Sequence, residues 1–314
     1  ITIQAAPEVP VNQRESVRLI AGGDARLPSG AVRLRNITLD KIGIEGCGSS
    51  KPNIWLDNAH LIGSGSSIFY YASNLGAIYA TDGTRVENAQ DAIKSAVLQR
   101  GVEVHNILSD AFTDTQMIVN CYASGVDTTG STLHPDILQY NGDYSGNLIL
   151  KENLIVYGLQ AYDSDAQGIF ARDIRYLKDI AFVNVMIERD RALNPSAAGV
   201  SQILGADINH LLMWNVSTNA AFNIADDAGR GWQTTGRNVS IVGNVVEAMS
   251  IGATSAEFGA EIAHNHFLVS GPGLPATNSS VGASGVWTDP STNLFTPQSA
   301  LRGRVPRVTV PIDV

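Results

Sequence analysis

A short pattern centred on asparagine recurs along the chain and constrains its fold more than any other feature. Six segments rich in β-branched and other apolar residues each carry one asparagine beside a predicted turn. These asparagines are Asn120, Asn153, Asn184, Asn215, Asn244 and Asn265. Their positions step by 33, 31, 31, 29 and 21 residues, and Asn36 and Asn58 repeat the pattern earlier with a step of 22. Steps of this length are typical of stacked structural repeats.

Each repeat is interpreted as short strands that meet at the asparagine, because this residue tolerates left-handed backbone and suits tight corners. A coil of about 20 to 30 residues cannot bury its apolar face alone, whereas coils stacked along one axis bury a continuous core. Asparagine side chains stacked in register also form hydrogen-bonded ladders. The pattern therefore predicts an all-β parallel β-helix, or solenoid, that forms a single domain over residues 1–314. A β-sandwich is the alternative, but its turns would recur every 8 to 12 residues or so.

The composition of the chain excludes several classes of protein. Of the 314 residues, 44% are hydrophobic and 16% are charged, which rules out global disorder. With 21 Lys and Arg against 30 Asp and Glu, the net charge is −9, so no nucleic-acid partner is expected. No apolar run approaches the roughly 18 residues of a membrane span, so no membrane partner is expected either. The two cysteines, Cys47 and Cys121, are predicted to be buried thiols.

Two regions depart from the repeat. Residues 86–100 are rich in helix formers and predict a helix inserted between coils, with Gly101 as its C-terminal cap. Residues 270–314 begin with a loop-like run and are predicted to fold back as a capping tail over an open sheet edge. The chain opens directly in strand-like sequence at Ile1 and ends abruptly at Val314. We therefore expect the native protein to extend beyond one or both ends.

Two segments carry a resemblance to a known superfamily. His134–Gln139, with sequence HPDILQ, resembles a His-x-Asp-x-x-Gln signature, and Asp165–Phe170, with sequence DAQGIF, often accompanies it. Together with the opening Ile1–Pro7, they make residues 30–270 similar to the right-handed parallel β-helix superfamily, often called pectate-lyase-like. The resemblance implies right-handed coils and a secreted or periplasmic protein. The superfamily includes lyases, hydrolases, epimerases, phage tailspikes and adhesins, so the fold does not decide the reaction.

Polar residues at matching positions of successive coils are expected to form an outward stripe, because side chains alternate in and out along each strand. The stripe starts with His134 and Asp136 and continues one coil later with residues at a similar offset. The further members are Asp163, Asp165, Gln167, Asn223, Asp226, Asp227 and Arg230, with Gln139 and Tyr140 as adjacent substrate contacts. Such a stripe predicts an extended groove suited to a polysaccharide.

The residue types in this stripe suggest three kinds of chemistry. His134 titrates near neutrality and is a candidate acid or base, with Asp136 to orient it. Carboxylates on neighbouring coils, such as Asp136 and Asp165, raise each other's pKa values and can supply one acid and one base. The aspartates could instead bind Ca²⁺ through several oxygen ligands. Arg172, within a basic cluster, is the candidate that neutralises an acidic glycan.

The leading hypothesis is a secreted polysaccharide lyase that acts on an acidic glycan by β-elimination, with His134, Asp136 and Arg172 in the site. The first alternative is a glycoside hydrolase with paired aspartates, and the second is a non-catalytic glycan-binding or tailspike-like module. Several enzyme signatures of the superfamily are missing, including Asn-Thr-Asp with Gly-His-Gly and Asp-Pro-His. The net charge of −9 weighs against the lyase unless positive charge is local. A monomer is expected rather than a trimer.

Overall fold

The computed structural model describes residues 2–4, 16–20, 31–47, 53–65, 76–126, 135–142, 149–189, 200–282, 287–289 and 294–297. Within these residues all regular structure is β-strand, and no helix that could cross a membrane is found. The strands in the first half of the chain are β1 (Thr2–Gln4), β2 (Ser16–Ile20), β3 (Ala31–Arg35), β4 (Thr38–Asp40), β5 (Gly43–Cys47), β6 (Asn53–Asp57), β7 (His60–Ile62), β8 (Ile78–Thr81), β9 (Arg85–Glu87), β10 (Ile93–Lys94), β11 (Leu98–Arg100), β12 (Glu103–Ile107), β13 (Phe112–Thr113), β14 (Met117–Val119), β15 (Tyr122–Val126) and β16 (Asp136–Asn141). Those in the second half are β17 (Leu150–Tyr157), β18 (Gln160–Ser164), β19 (Gln167–Arg172), β20 (Tyr176–Val183), β21 (Met186–Arg189), β22 (Val200–Leu204), β23 (Asp207–Trp214), β24 (Ser217–Thr218), β25 (Ala221–Ala225), β26 (Thr235–Val242), β27 (Val245–Gly252), β28 (Phe258–Ala263), β29 (His266–Ser270), β30 (Ser280–Val281), β31 (Trp287–Asp289) and β32 (Leu294–Pro297).

Two large sheets, both parallel throughout, build the molecule. Sheet I has ten strands: β3, β6, β8, β11, β14, β17, β20, β23, β26 and β28. The other sheet has eighteen strands and is bent into two faces. Sheet II is the face with β1, β4, β7, β9, β12, β15, β18, β21, β24, β29, β30 and the start of β27, and sheet III is the face with β10, β13, β16, β19, β22, β25 and the end of β27. From β8 to β27 each coil passes from sheet I through sheet II to sheet III, and earlier β5 pairs with β2 in a separate parallel sheet. This arrangement confirms the predicted all-β parallel β-helix.

The corners between sheets I and II are built on left-handed backbone. Ten successive coils each place one residue with positive φ there, between 49° at Asn120 and 80° at Gly83. These residues are Asn36, Asn58, Gly83, Gly101, Asn120, Gly158, Asn184, Asn215, Gly243 and His264. Only glycine and short polar residues adopt this conformation at low cost, which explains the recurring asparagines of the sequence.

Asparagine side chains bond between coils in two ways. At the solvent-exposed corner, the Asn58 Nδ2 donates to Asn36 Oδ1 at 2.8 Å, and Asn215 repeats this contact with Asn184. In the last coils the asparagine follows the corner and is buried. Asn244 Nδ2 donates to Met213 O at 3.1 Å and to Asn265 Oδ1 at 3.0 Å. Burial makes these inner bonds matter more, since an unpaired amide in the core is costly.

A single apolar cluster runs along the axis of the β-helix. Its members come from all three faces. Aliphatic residues on successive coils pair in register: Leu154 pairs with Ile180, and Ile180 pairs with Leu211. Cys121 belongs to this core as a free thiol, and burial raises its pKa to about 11, as expected for an unreactive cysteine. The buried thiol predicted at this position is therefore confirmed.

The helix predicted over residues 86–100 is wrong. That stretch contains β9, β10 and β11, and its small apolar residues point into the core between two coils. Gly101, expected as a helix cap, is the left-handed corner between β11 and β12, with φ of 60°. Short coils need small inward side chains, and Ala89, Ala92 and Ala96 supply them at a spacing that imitates a helical face.

Two further predictions are modified by the structure. Asn153 is not a corner: it lies inside β17 with φ of 56°, and Gly158 turns that coil instead. In the tail, β30 adds a parallel strand to β29, and β31 pairs with β32 in antiparallel fashion. Most of residues 283–314 lie outside the described residues, so the capping role stays a prediction.

Candidate functional site

The outer face of sheet III differs from the rest of the solenoid in the length of its flanking connections. Residues 127–135 and 190–199 lead into its strands, and residues 142–149 and 226–234 lead out. The corners between sheets I and II have, by contrast, only two or three residues between strands. Long connections around one rigid face are where binding and catalytic residues concentrate. The candidate site is therefore the outer face of sheet III with its two edges.

The two segments that resemble the superfamily signature stack on adjacent strands of this face. Asp136 pairs in register with Gln167, and Gln139 pairs with Phe170. The column continues from Phe170 to Gln202 and from Gln202 to Asn223. Neighbouring strands lie about 4.8 Å apart, so Gln139, Gln202 and Asn223 form a polar row along the helix axis, interrupted by Phe170 between Gln139 and Gln202. The sequence placed Gln139 and Asn223 near one groove, and the register brings them onto one face.

Asp136 lies at the entry edge of sheet III, beneath this polar row. Its carboxylate is fully buried, and its Oδ2 accepts a hydrogen bond from Gln139 Nε2 at 2.9 Å. Asn141 Nδ2 in turn donates to Gln139 Oε1 at 2.6 Å. These bonds fix the orientation of the Gln139 amide on the outer face. Because Asp136 is not exposed, this geometry gives it a positioning role rather than contact with a substrate.

Asp136 is the last member of a column of buried aspartates that the sequence reasoning missed. Asp91 and Asp110 occupy the equivalent position on the two preceding coils, two residues before paired Ile93, Phe112 and Leu138. The first two carboxylates each accept a bond from the next coil: Asp110 N–H donates to Asp91 Oδ1 at 3.4 Å, and Asp136 N–H donates to Asp110 Oδ1 at 3.2 Å. A repeated Asp-apolar-apolar triplet (DAI, DAF, DIL) was the available signal. The first triplet, at residues 91–93, was not recognised because residues 86–100 were interpreted as a helix.

The column also shows a recurring contact within each coil. Asp91 Oδ2 lies 3.0 Å from Lys94 Nζ, and Thr113 Oγ1 donates to Asp110 Oδ2 at 3.4 Å, as Gln139 does to Asp136. Each aspartate thus forms an ion pair or a hydrogen bond with the side chain three positions later. The cation at Lys94 serves only the first carboxylate directly, which leaves the middle one in a less favourable electrostatic environment.

Asp110, the middle carboxyl, has a strongly perturbed acidity. Burial, followed by repulsion from Asp136 and Asp91, raises its pKa to about 7, while Lys94 partly opposes the rise. A carboxyl that exchanges its proton near neutrality is suited to acid–base chemistry. It equally marks a structural column in which three close carboxyls cannot all ionise.

The exit edge of sheet III carries a second, separate group of charged residues. Arg172 Nε lies 3.3 Å from Asp227 Oδ2, and Arg230 Nε lies 2.6 Å from Asp173 Oδ1. Asp227 and Asp173 are buried, whereas the Arg172 side chain is 43% exposed. Gln167 pairs with Asp136, and Arg172 lies five residues after Gln167 on β19. At about 3.3 Å per residue, the backbone of Arg172 is therefore roughly 17 Å from that of Asp136.

Asp226 closes the turn at this exit edge. Its Oδ1 accepts from the Thr234 backbone at 2.7 Å, and its Oδ2 accepts from the Thr254 backbone and hydroxyl. Partial burial opposes ionisation, but these hydrogen bonds outweigh it and hold the pKa of Asp226 below its usual value. Asp226 is therefore engaged in folding the connection.

The remaining predicted site residues fall in different places. Tyr140 points into the core, and burial raises its pKa further above the usual tyrosine value, so it cannot stack on a sugar. Asp163 is exposed at a left-handed position, and Asp165 is buried at the corner between sheets II and III. His134 lies outside the described residues. The expected single stripe is thus two groups on opposite edges of sheet III, joined by the polar row.

Metal binding finds no support in the part of the chain that the structure describes. No group of three or more His, Cys, Asp or Glu side chains there is arranged to hold a metal ion.

Comparison with protein families, with curated proteins and with solved structures finds no match to this chain. The assignment of a function therefore depends on the geometry of sheet III.

Proposed function

We propose that this chain is a secreted or periplasmic carbohydrate-active enzyme of the pectate-lyase-like superfamily that cleaves a polysaccharide bound across the outer face of sheet III. The observation that supports this most is the stacking of the two signature-like segments, with Asp136 beside Gln167 and Gln139 beside Phe170. The polar row offers an amide on three of its four strands and the Phe170 ring on the fourth, contacts that suit an extended polymer.

β-Elimination on an acidic glycan is the reaction we favour. It requires a cation at the uronate carboxylate, which acidifies the neighbouring proton, and a base that removes this proton. Arg172 supplies the cation, because its Nε is held by buried Asp227 while the side chain remains 43% exposed. Guanidinium groups match carboxylates in a two-point geometry. His134 lies two residues before Asp136, so it is the proposed base only for a sugar bound at the entry edge, too far from Arg172 to act on the uronate that Arg172 neutralises. Asp136 positions Gln139 against the glycan.

The separation of the two edges limits how these residues can cooperate. At roughly 17 Å from Arg172, buried Asp136 is remote from the sugar that Arg172 contacts, and it acts on the glycan only through Gln139. Arg172 therefore acts at a carboxylate near the exit edge, and the Gln139 amide, three residues along β16 from Asp136, anchors the glycan between the two edges. This division predicts distinct kinetic signatures for the two sites.

Hydrolysis is the second candidate, and the acidity of Asp110 favours it. A carboxyl with a pKa of about 7 beside a second carboxyl resembles the acid and base pair of glycoside hydrolases. Asp110 is 4% exposed, so this candidate requires the entry edge to open when the glycan binds.

The reaction is tested by incubation with uronate polymers and neutral polysaccharides. A rise in ultraviolet absorbance reports the unsaturated product that only elimination creates, and reducing ends without this rise indicate hydrolysis. We expect Arg172→Ala to lower kcat/KM on a uronate polymer by about 100- to 1000-fold. Asp136→Asn should mainly raise KM, because Gln139 loses its orientation.

The matched control is Arg237→Ala on sheet I, where an arginine also lies beside an aspartate, Asp207, at 3.6 Å. It should leave kcat/KM unchanged. Affinity without any product would assign a binding module of the tailspike-like kind instead. Full activity in both His134→Ala and Asp136→Ala would show that the site lies elsewhere.

A further inference from the structure

The outer face of sheet II carries a compact square of side chains that the proposed glycan site does not use. Glu103 and His105 point outward from β12, and Tyr122 and Ser124 point outward from β15. The register pairs Glu103 with Tyr122 and His105 with Ser124. Four functional groups therefore lie on two adjacent strands of a rigid sheet, where positions are held more firmly than on loops.

Within the square, three side chains form a linear hydrogen-bonded relay. His105 Nδ1 lies 2.8 Å from Ser124 Oγ, and His105 Nε2 lies 3.4 Å from Glu103 Oε2. The first distance is in the range required of a base and its nucleophile, and the second is long, as is common without substrate. This is the order serine, histidine, carboxylate, with the two imidazole nitrogens exchanged relative to the usual triad.

We infer that Ser124, His105 and Glu103 form a second active site, an acyl-ester hydrolase. Ser124 Oγ attacks the ester carbonyl as its proton passes to His105 Nδ1, and the bond to the alcohol breaks as His105 returns that proton to the departing oxygen. Water then attacks the acyl-serine by the same route and releases the carboxylic acid. Glu103 accepts the Nε2–H hydrogen bond and stabilises the protonated imidazole.

Two tyrosines define the surroundings of this serine. The Tyr122 ring lies 5.6 Å from the His105 ring and 5.8 Å from the Tyr162 ring, and Tyr162 pairs in register with Ser124 on the next coil. Burial, Glu188 and Tyr122 raise the pKa of Tyr162, so its hydroxyl stays neutral. Tyr122 lies two residues before Ser124 on the same outward face of β15, so its hydroxyl is the side-chain donor assigned to the oxyanion.

The substrate class is a short acyl ester of a bulky alcohol. An outward sheet face accommodates a large alcohol, while the rings of Tyr122 and Tyr162 beside His105 and Ser124 limit the room for the acyl group. An O-acylated sugar fits this description, and only that identification rests on the proposed glycan function. The ester chemistry itself stands on the contacts of sheet II and is tested with a probe that contains no sugar.

The test measures hydrolysis of 4-nitrophenyl acetate and covalent labelling by a fluorophosphonate in the full chain. Ser124→Ala and His105→Asn should each lower kcat/KM by about 100-fold or more, and Glu103→Gln by about tenfold or less, since its hydrogen bond is long. Tyr122→Phe should lower kcat with little change in KM. Peptide mapping should place the label on Ser124.

A matched control exists at the end of the same sheet. His266 Nδ1 lies 2.8 Å from Ser280 Oγ, but its Nε2 bonds the Gly282 carbonyl instead of a carboxylate. Ser280→Ala should leave hydrolysis unchanged, and Ser280 should remain unlabelled. Hydrolysis that survives Ser124→Ala but not His105→Asn would make imidazole the nucleophile and overturn the inference, as would labelling elsewhere. Thermal melts and Ser124→Cys separate loss of function from loss of fold.

Discussion

The corners between sheets I and II and the edges of sheet III solve the same problem, a change of strand direction, in different ways. At the corner, one left-handed residue per coil suffices, and ten coils repeat it with asparagine, glycine or histidine. At the edges of sheet III, connections vary in length and place buried carboxylates next to one another. The comparison shows that the corner between sheets I and II is uniform from coil to coil, which allows regular stacking. The connections at the edges of sheet III vary, and the buried charged residues are found there.

Stability at the two junctions should depend on different forces. Corner residues act through backbone conformation and neutral hydrogen bonds, so their contribution is local and independent of pH. The aspartates of the entry edge act through buried charge, so their contribution depends on protonation. Experiments that separate these two dependences test the comparison directly.

The largest expected effect is the pH dependence from Asp110. Its folded pKa of about 7 exceeds the ordinary 3.8, so the folded state binds a proton more tightly than the unfolded state. The favourable contribution is therefore complete below about pH 4 and is lost as pH rises to about 7. The difference corresponds to roughly 4 kcal/mol. Asp110→Asn should flatten this part of the stability curve in urea titrations at several pH values.

The matched variant for this prediction is Asp82→Asn, at a corner between sheets I and II, where the carboxylate is exposed and pairs with Arg100. It should leave the slope between pH 4 and 7 nearly as it is. An unchanged slope in Asp110→Asn would contradict the assignment of this pH dependence to Asp110.

A smaller effect is expected from the asparagine ladder, and it should differ between its buried and exposed parts. Asn244→Ala leaves the Val216 N–H and the Met213 carbonyl without their partner in the core. We expect a loss of about 2 to 3 kcal/mol in the free energy of unfolding. Asn215→Ala removes an exposed side-chain bond and should cost well under 1 kcal/mol from that bond. Equal losses in denaturant melts would contradict the distinction.

The smallest effect concerns the left-handed corner itself. Gly158 has φ of 69°, and a Cβ there would lie 2.4 Å from the Asn120 Oδ1. Gly158→Val should destabilise the fold by about 2 kcal/mol, because a β-branched residue is strained in this region. Gly158→Asn should cost less, since Asn120 can turn to form the amide pair seen at Asn36 and Asn58. Thermal melts of the two variants measure the difference, and equal melting temperatures would argue against backbone strain.

The sequence predicted the solenoid correctly because its strongest signal is local. Asn36, Asn58, Asn120, Asn184 and Asn215 are corners, since positive φ restricts the residue type at that one position. The same logic failed at Asn153, where left-handed backbone bends the middle of β17. It failed at residues 86–100 because three inward alanines in short coils imitate a helical stripe.

What the sequence by itself determined is the repeat: which residues turn, and which apolar residues face the axis. The tertiary structure alone decided which polar residues meet, because stacking joins positions 19 to 55 residues apart, as in His105 with Ser124 or Arg172 with Asp227. Tyr140 adjoins Gln139 in sequence yet points the opposite way, and Asp91 joins Asp136 across two coils. The register between coils depends on the total number of residues in each coil, including its connections. No local sequence pattern specifies that total.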